Sequence, residues 1–264
     1  MFGGLVQRAY SGPVRRSARS LGLEGTLASL YYGLVSLAGG ETVTVEVGDV
    51  SAVFLAPTER VRERIENLAT SERPVLEDLS VRLRPNDVVW DVGAHVGLYA
   101  CLTDSVVEEG RVVAFEPSPA RAALLSRNVR LNGADVDVAN LALSDGTSTD
   151  GLDVGDRPDV AVERGDDLVR TGELPAPDVV KMDVEGGERL ALDGMPRALT
   201  TCRVLYCEIH PEEVAGSERG LNGEDVRAID DALRDAGFDV IERIHERDEQ
   251  PFVRASRESD TGEQ

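Results

Sequence analysis

Residues 87–97, Asp87-Val-Val-Trp-Asp-Val-Gly-Ala-His-Val-Gly97, decide the fold. An apolar, β-rich run ends in an acid, a Gly-x-x-x-Gly turn and a helix-compatible run from Leu98. That pattern predicts a buried strand feeding a tight turn that opens a helix. Gly93 and Gly97 carry no Cβ, so the backbone can turn sharply and a ligand can approach the peptide plane. The helix N-terminus behind them offers unpaired N–H groups and partial positive charge to an anionic group. A second run, Arg111-Val-Val-Ala-Phe-Glu116, ends in an acid placed to accept hydrogen bonds from ribose hydroxyls. Strand, glycine turn, helix, strand and acid together read as a nucleotide-cofactor half-site.

The glycine spacing bears on which nucleotide is bound. Dinucleotide folds favour Gly-x-Gly-x-x-Gly, whose glycines make room for a pyrophosphate. Here only Gly93 and Gly97 stand in the turn, and Asp91 lies two residues before the first. An acid at that point suits the ammonium of a methionine moiety better than a diphosphate, so S-adenosylmethionine fits better than NAD.

Working outward, the chain has 264 residues, 41% of them hydrophobic but only 4% aromatic, so Val, Leu and Ala must build most of the core. The formal net charge of −21 would repel a nucleic-acid backbone, and no nucleic-acid partner is expected. The acidity is spread along the chain, and Lys181 is the sole lysine among the 28 basic residues. Diffuse acidity with so little lysine points to adaptation to high salt, where counterions screen self-repulsion. Cys101, Cys202 and Cys207 form no Cys-x-x-Cys and sit in apolar runs, as expected of buried reduced thiols in a cytoplasmic protein. The segment Leu21 to Gly39 is interrupted by Glu24 and several glycines and falls short of a membrane span. Residues 19–38 read as an amphipathic or buried helix, with membrane-surface attachment a lesser alternative.

Residues 42–55 alternate on both sides of Gly48-Asp49, which predicts a β-hairpin. Short helices are expected around 58–68 and 73–82. Strands at 87–92, 111–115, 136–140, 178–183, 203–208 and 238–243 then alternate with helices near 97–107, 118–132, 186–199 and 224–236. Such alternation predicts a doubly wound, mostly parallel α/β sheet, with ligands bound beyond the carboxyl ends of its strands. The insert 141–177 should hold a small hairpin. The expected division is an N-terminal extension over 1–84, the cofactor domain over 85–256 and a polar, disordered tail over 257–264.

Two clusters carry chemistry. Lys181-Met-Asp183-Val-Glu185-Gly-Gly-Glu188 closes one core strand, and alternation puts Lys181 and Asp183 on one face. A lone lysine in an arginine-rich chain suggests that a compact ammonium is needed, either to meet a substrate or to neutralise Glu185 or Glu208. The next strand, Val204-Leu-Tyr-Cys-Glu208-Ile-His210, brings Glu208 and His210 to the same edge and face. His210 could be a general base for a hydroxyl, a ligand to Mg2+ or Mn2+ with Asp183 and Glu208, or a helix-capping loop residue. His245 reads as a surface residue.

Asp91-Val-Gly-Ala-His-Val-Gly97, Phe115-Glu116-Pro-Ser-Pro, Asn128-x-x-Leu-Asn132, Ala142-Leu-Ser-Asp145 and Lys181-x-Asp-x-Glu-Gly-x-Glu188 run in register from about 85 to 210. Together they resemble the FkbM-type S-adenosylmethionine-dependent methyltransferases. The resemblance implies a Rossmann-like, seven-strand methyltransferase fold and O-methylation of a hydroxyl or carboxyl on a sugar, glycan or other small molecule. By match, Asp91, Gly93, Ala94, His95 and Gly97 would line the methionine end, and Glu116, with Pro117 and Ser118, would hold the ribose. Asn140, Leu141 and Ala142 would border the adenine. Lys181, Asp183, Glu208 and His210 would serve the acceptor. His95 departs from the asparagine usual in the family. The alternatives are a cofactor-binding module without catalysis and an NAD-dependent oxidoreductase. No motif maps to the first 70 or so residues, which are expected to select the acceptor.

Overall fold

The computed structural model describes residues 41–146, 148–152, 160–210, 223–247 and 250–257. The helix expected at 19–38 and the tail beyond 257 lie outside them. Thr42–Val47 (β1) and Val50–Leu55 (β2) pair as the expected antiparallel hairpin, turning at Gly48-Asp49. Helices Glu59–Ser71 (α1) and Arg73–Arg82 (α2) follow, the first capped by Thr58, whose side chain accepts from the Val61 N–H. The alternating part then runs Val88–Val92 (β3), Leu98–Asp104 (α3), Arg111–Phe115 (β4), Pro119–Asn132 (α4) and Val136–Ala139 (β5). Beyond it lie a small sheet, two more sheet strands with their helices, and a closing hairpin. These are Ala142–Leu143 (β6), Ser148–Leu152 (β7), Val160–Glu163 (β8), Gly165–Arg170 (α5), Val179–Met182 (β9), Glu188–Asp193 (α6), Val204–Glu208 (β10), Gly223–Asp235 (α7), Val240–Arg247 (β11) and Gln250–Ser256 (β12).

The main sheet has seven strands in the order β11-β12-β10-β9-β3-β4-β5. All neighbours from β10 to β5 are parallel, while β12 is antiparallel to both β10 and β11. This is the doubly wound α/β sheet that the strand–helix alternation predicts. Six of its strands were legible as separate runs. The seventh, β12, was not, because Pro251 and Arg254 interrupt its apolar pattern. The expected helix at 186–199 is shorter, ending at Asp193, with one 3-10 turn at Ala198–Thr200. The 141–177 insert contains the expected hairpin, β7 with β8, and also α5.

Strand alternation sends side chains into two cores. Val89, Val112, Val179 and Val204 pack against the hairpin and α1–α4 on one face. Trp90, Val113, Val180 and Leu205 pack against α5, α6 and α7 on the other. The first core is continuous from Val43 in the hairpin to Phe252 in β12, so residues 43–79 bury their apolar side chains with the sheet.

Two buried asparagines dock the hairpin on α4. Asn132 accepts from the Val53 N–H at 2.8 Å and donates back to the Val53 carbonyl at 2.8 Å. Asn128 accepts from the Leu55 N–H at 2.9 Å and donates to the Val96 carbonyl at 2.8 Å. The edge strand β2 thus has its outward backbone groups satisfied by side chains instead of another strand. Asn132→Ala strands a donor and an acceptor of Val53, and a loss of about 2–3 kcal/mol is expected in urea unfolding. A loss below ~0.5 kcal/mol would show that the docking carries no weight.

The end of the ordered chain also differs from expectation. Ser256 is buried, and Arg257, read as the first residue of the tail, donates to the carbonyls of Leu199, Cys202, Ala236 and Gly237. Its guanidinium also stacks over the Phe238 ring at 5.1 Å. Four backbone acceptors converge where β12 ends, and the planar five-donor fork of arginine suits them. His245, expected at the surface, lies on β11 opposite Phe252, is partly buried and has an enclosed Nε2.

Candidate active site

The turn after β3 is built against β4 and β9. The N–H groups of Gly93 and Ala94 both donate to the Phe115 carbonyl, at 3.0 and 2.9 Å. Gly93 has φ +81, and a Cβ there would lie 1.8 Å from the Asp183 carbonyl oxygen. Gly97 has φ +88, and its missing Cβ is replaced by the Leu125 side chain at 2.3 Å. Close packing of protein on protein thus requires both glycines. His95, at φ 52, occupies the left-handed region, where asparagine is one of the best-tolerated residues. Burial, with Arg121, Arg64 and Lys181 nearby, lowers the His95 pKa to about 3.

The left-handed turn at His95 aims its N–H at Glu116 Oε2, 2.9 Å away. The Ser118 N–H donates to Oε1 at 2.8 Å. Glu116 is only 2% exposed, so its carboxylate is fixed by backbone amides from two loops at the strand ends. Asn140, just past β5, donates to the carbonyls of Glu116 and Pro117 at 2.8 and 3.1 Å. Residues assigned to the ribose and adenine borders are thus tied to one another, with Leu141 and Ala142 half-buried beside them.

Lys181 is 3% exposed. Its Nζ lies 3.6 Å from Asp91 Oδ1, 3.6 Å from Asp183 Oδ2 and 3.4 Å from the Gly93 carbonyl, over the Tyr99 ring at 4.7 Å. The Tyr99 hydroxyl donates to buried Glu72 at 2.8 Å. Burial disfavours the ammonium, but Asp183 and Asp91 outweigh it and raise the Lys181 pKa. Asp91 also accepts from the Ala100 N–H at 3.0 Å, while burial raises its pKa against the pull of Lys181. Lys181 thus places an ammonium of the protein beside Asp91. Glu185, considered as a partner for Lys181, is exposed and pairs with Arg64 of α1 at 3.6 Å.

Asp183, Glu208 and His210 meet beyond the ends of adjacent β9 and β10. His210 Nδ1 is 2.8 Å from Glu188 Oε1, and Nε2 faces Asp183 Oδ1 at 3.5 Å and Glu208 Oε2 at 4.0 Å. Burial works against a charged imidazole, but Glu188 and the other carboxylates prevail and raise its pKa. Glu188 opens α6, yet it is fully buried and its carboxylate turns inward to His210 and the Gly186 N–H. The residues that His210 would cap in the helix-capping alternative, from 211 on, lie outside the described residues. The trio's ligand atoms lie within 4.8 Å of one another, so these residues could hold a metal ion.

The residues read from sequence thus fall into two adjoining groups at the carboxyl ends of β3, β4, β9 and β10. One is the Glu116 cradle with the glycine turn, and the other is the Lys181–Asp183–Glu208–His210 edge. Glu72 and Tyr99 were missed as members of this network, while Glu188 was named in the Lys181 cluster without its link to His210. Tyr99 lies 27 positions from Glu72 and 82 from Lys181, and no local spacing links them.

A methyltransferase FkbM domain model matches residues 91–240. The hexuronic acid methyltransferase AglP of Haloferax volcanii is 32% identical over 182 residues, spanning 62% of this chain and 73% of that protein. The 31-O-demethyl-FK506 methyltransferase FkbM of Streptomyces tacrolimicus is 27% identical over 207 residues, spanning 61% and 76%. The solved structure of methyltransferase FkbM from Methylobacillus flagellatus KT superposes with a TM-score of 0.53 at 19% identity, covering 74% of this chain and 51% of that one, which supports the fold.

Proposed function

Starting from the fact that the chain belongs to the FkbM methyltransferase family, we propose that it transfers a methyl group from S-adenosylmethionine to an oxygen of a sugar acid. The observation that carries the cofactor is the Glu116 cradle. A buried carboxylate, held by amides of the glycine turn and of the β4 loop, is a preorganised acceptor for a pair of ribose hydroxyls. Gly93, Ala94, His95 and Gly97 would border the methionine end, and Asn140, Leu141 and Ala142 the adenine. The cofactor supplies a methyl group already activated on a sulfonium. What remains for the protein is to align the acceptor and, for a hydroxyl, to accommodate its proton.

The acceptor oxygen is assigned to the Asp183–Glu208–His210 corner. Lys181 acts there as a positioning residue, fixing one oxygen of Asp183 while the other faces His210. A carboxylate acceptor would need no base. The sugar-acid class is supported by the hexuronic acid methyltransferase among the relatives. Arg64, on the segment outside the family match, pairs with exposed Glu185 and could exchange that partner for an acidic acceptor. The test is transfer of labelled methyl from S-adenosylmethionine to hexuronic acid glycosides and to neutral glycosides in molar KCl. Label is expected on the acids, and mild alkali separates the two oxygens, because a methyl ester is hydrolysed and an ether is not. Label on neutral sugars alone would overturn the acceptor class.

We also place the protein in a high-salt cytoplasm, on its net charge of −21, its single lysine and its three buried free thiols. Among the described residues, no helix is long and apolar enough to cross a membrane. With repulsion unscreened in dilute buffer, the melting midpoint should rise by roughly 10 °C or more towards molar KCl, at ~2–4 °C per kcal/mol for a chain of this size. A flat or falling midpoint would remove the high-salt reading.

A further inference from the structure

We propose that Asp183, Glu208 and His210 form a binding site for a divalent cation of the Mn2+ type. Glu208 and His210 are 1% and 4% exposed, while the Asp183 side chain is 18% exposed, so Asp183 is the open side of the corner. The nearest ammonium, Lys181, is engaged with Asp91 and with Oδ2 of Asp183, which leaves Oδ1 turned to the imidazole.

The imidazole geometry points the same way. The contact from Nδ1 to Glu188 Oε1, at 2.8 Å, fixes the ring and leaves Nε2 as the nitrogen presented to the corner. Nε2 is 3.5 Å from Asp183 Oδ1 and 4.0 Å from Glu208 Oε2. Both separations exceed the usual ~2.7–3.2 Å of an N–H···O hydrogen bond. Small side-chain shifts would draw the three ligand atoms, now within 4.8 Å of one another, onto one ion with bonds of about 2.0–2.2 Å. A histidine anchored through its other nitrogen by a buried carboxylate is the usual outer support of a metal ligand. Two carboxylates and one imidazole suit Mn2+, with Mg2+ a harder and weaker match to the nitrogen. Among the described residues, no other group of three His, Cys, Asp or Glu comes together in this way.

What the ion would do rests on the acceptor assignment made above: a hydroxyl or carboxylate oxygen entering from the open side would complete its coordination and, for a hydroxyl, lose its proton more readily. Binding itself is tested without acceptor or cofactor. The full chain, stripped with EDTA, is titrated with Mn2+ in molar KCl, which suppresses weak association with the acidic surface, and free Mn2+ is followed by its electron paramagnetic resonance signal. One tight site per chain is expected. His210→Ala and the near-isosteric Glu208→Gln should each weaken it at least about tenfold, and Glu188→Gln should weaken it by roughly 10–100-fold through the imidazole. Glu66→Gln, on the exposed face of α1, should leave it unchanged. A Glu208→Gln chain that melts cooperatively yet binds Mn2+ as wild type does, or a wild-type chain that binds none, overturns the site. Methyl transfer undiminished in EDTA by a chain that binds no Mn2+ would overturn the ion and leave the methyltransferase reading standing. One-site Mn2+ binding with no transfer to any sugar acid would do the reverse.

Discussion

Lys181→Met is expected to lower methyl transfer by at least about a hundredfold, or ~2.7 kcal/mol, and to reduce folding stability by about 3–5 kcal/mol. The reason is the buried network. Removing the ammonium leaves Asp91 and Asp183, each 3.6 Å from Nζ, without their shared cation, and Asp91 is 1% exposed. Lys181→Arg separates charge from shape. It keeps the positive charge but puts a broad planar guanidinium where an ammonium sits over the Tyr99 ring at 4.7 Å. Its stability should be closer to wild type, while kcat still falls and the KM for S-adenosylmethionine stays within about tenfold. Urea melts and steady-state kinetics on both variants check this. Wild-type kcat in both would mean that Lys181 does not position the acceptor corner.

Gly93→Ala should be the most damaging single methyl addition, at about 4 kcal/mol or more. A Cβ would meet the Asp183 carbonyl oxygen at 1.8 Å, a backbone atom that no rotamer change can move aside. The positive φ at this residue adds roughly 1–2 kcal/mol for any L side chain. Relief would require β3 and β9 to part at their carboxyl ends, where the Glu116 cradle and the acceptor corner adjoin. Loss of cooperative melting, or of cofactor binding in whatever folds, is the expected result. A variant as stable as wild type would show that this turn relaxes freely.

Much of this arrangement was legible because it is local. The β3 turn, the acid at the end of β4 and the alternation of Lys181 with Asp183 depend on neighbours within a few residues, where spacing and periodicity carry information. Glu208 and His210 reached the same corner because parallel strands in a doubly wound sheet present their carboxyl ends together. The illegible parts are long-range or polar. Asn128 and Asn132 read as family motif positions, yet they are hydrogen-bond clamps reaching 73 and 79 residues back to the hairpin. Glu188 read as the last acid of the Lys181 cluster, and only the tertiary fold turns it towards His210, 22 residues on. β12 escaped because its polar residues are buried by pairing: Arg254 lies opposite Tyr206, and both bond Asp78 on α2. An arginine in an apolar strand reads as a breaker until its carboxylate partner, 176 residues away, is known.

The central claim, that the Glu116 cradle holds S-adenosylmethionine, is tested most directly by isothermal calorimetry. S-adenosylmethionine and NAD are titrated in molar KCl into the wild-type chain and into Glu116→Ala. The account predicts that wild type binds S-adenosylmethionine and not NAD. Glu116→Ala, if it melts as wild type does, should lose about 1.5–3 kcal/mol of that affinity, the worth of hydrogen bonds to a charged group. Preference for NAD, or unchanged S-adenosylmethionine affinity in a folded Glu116→Ala, would contradict it.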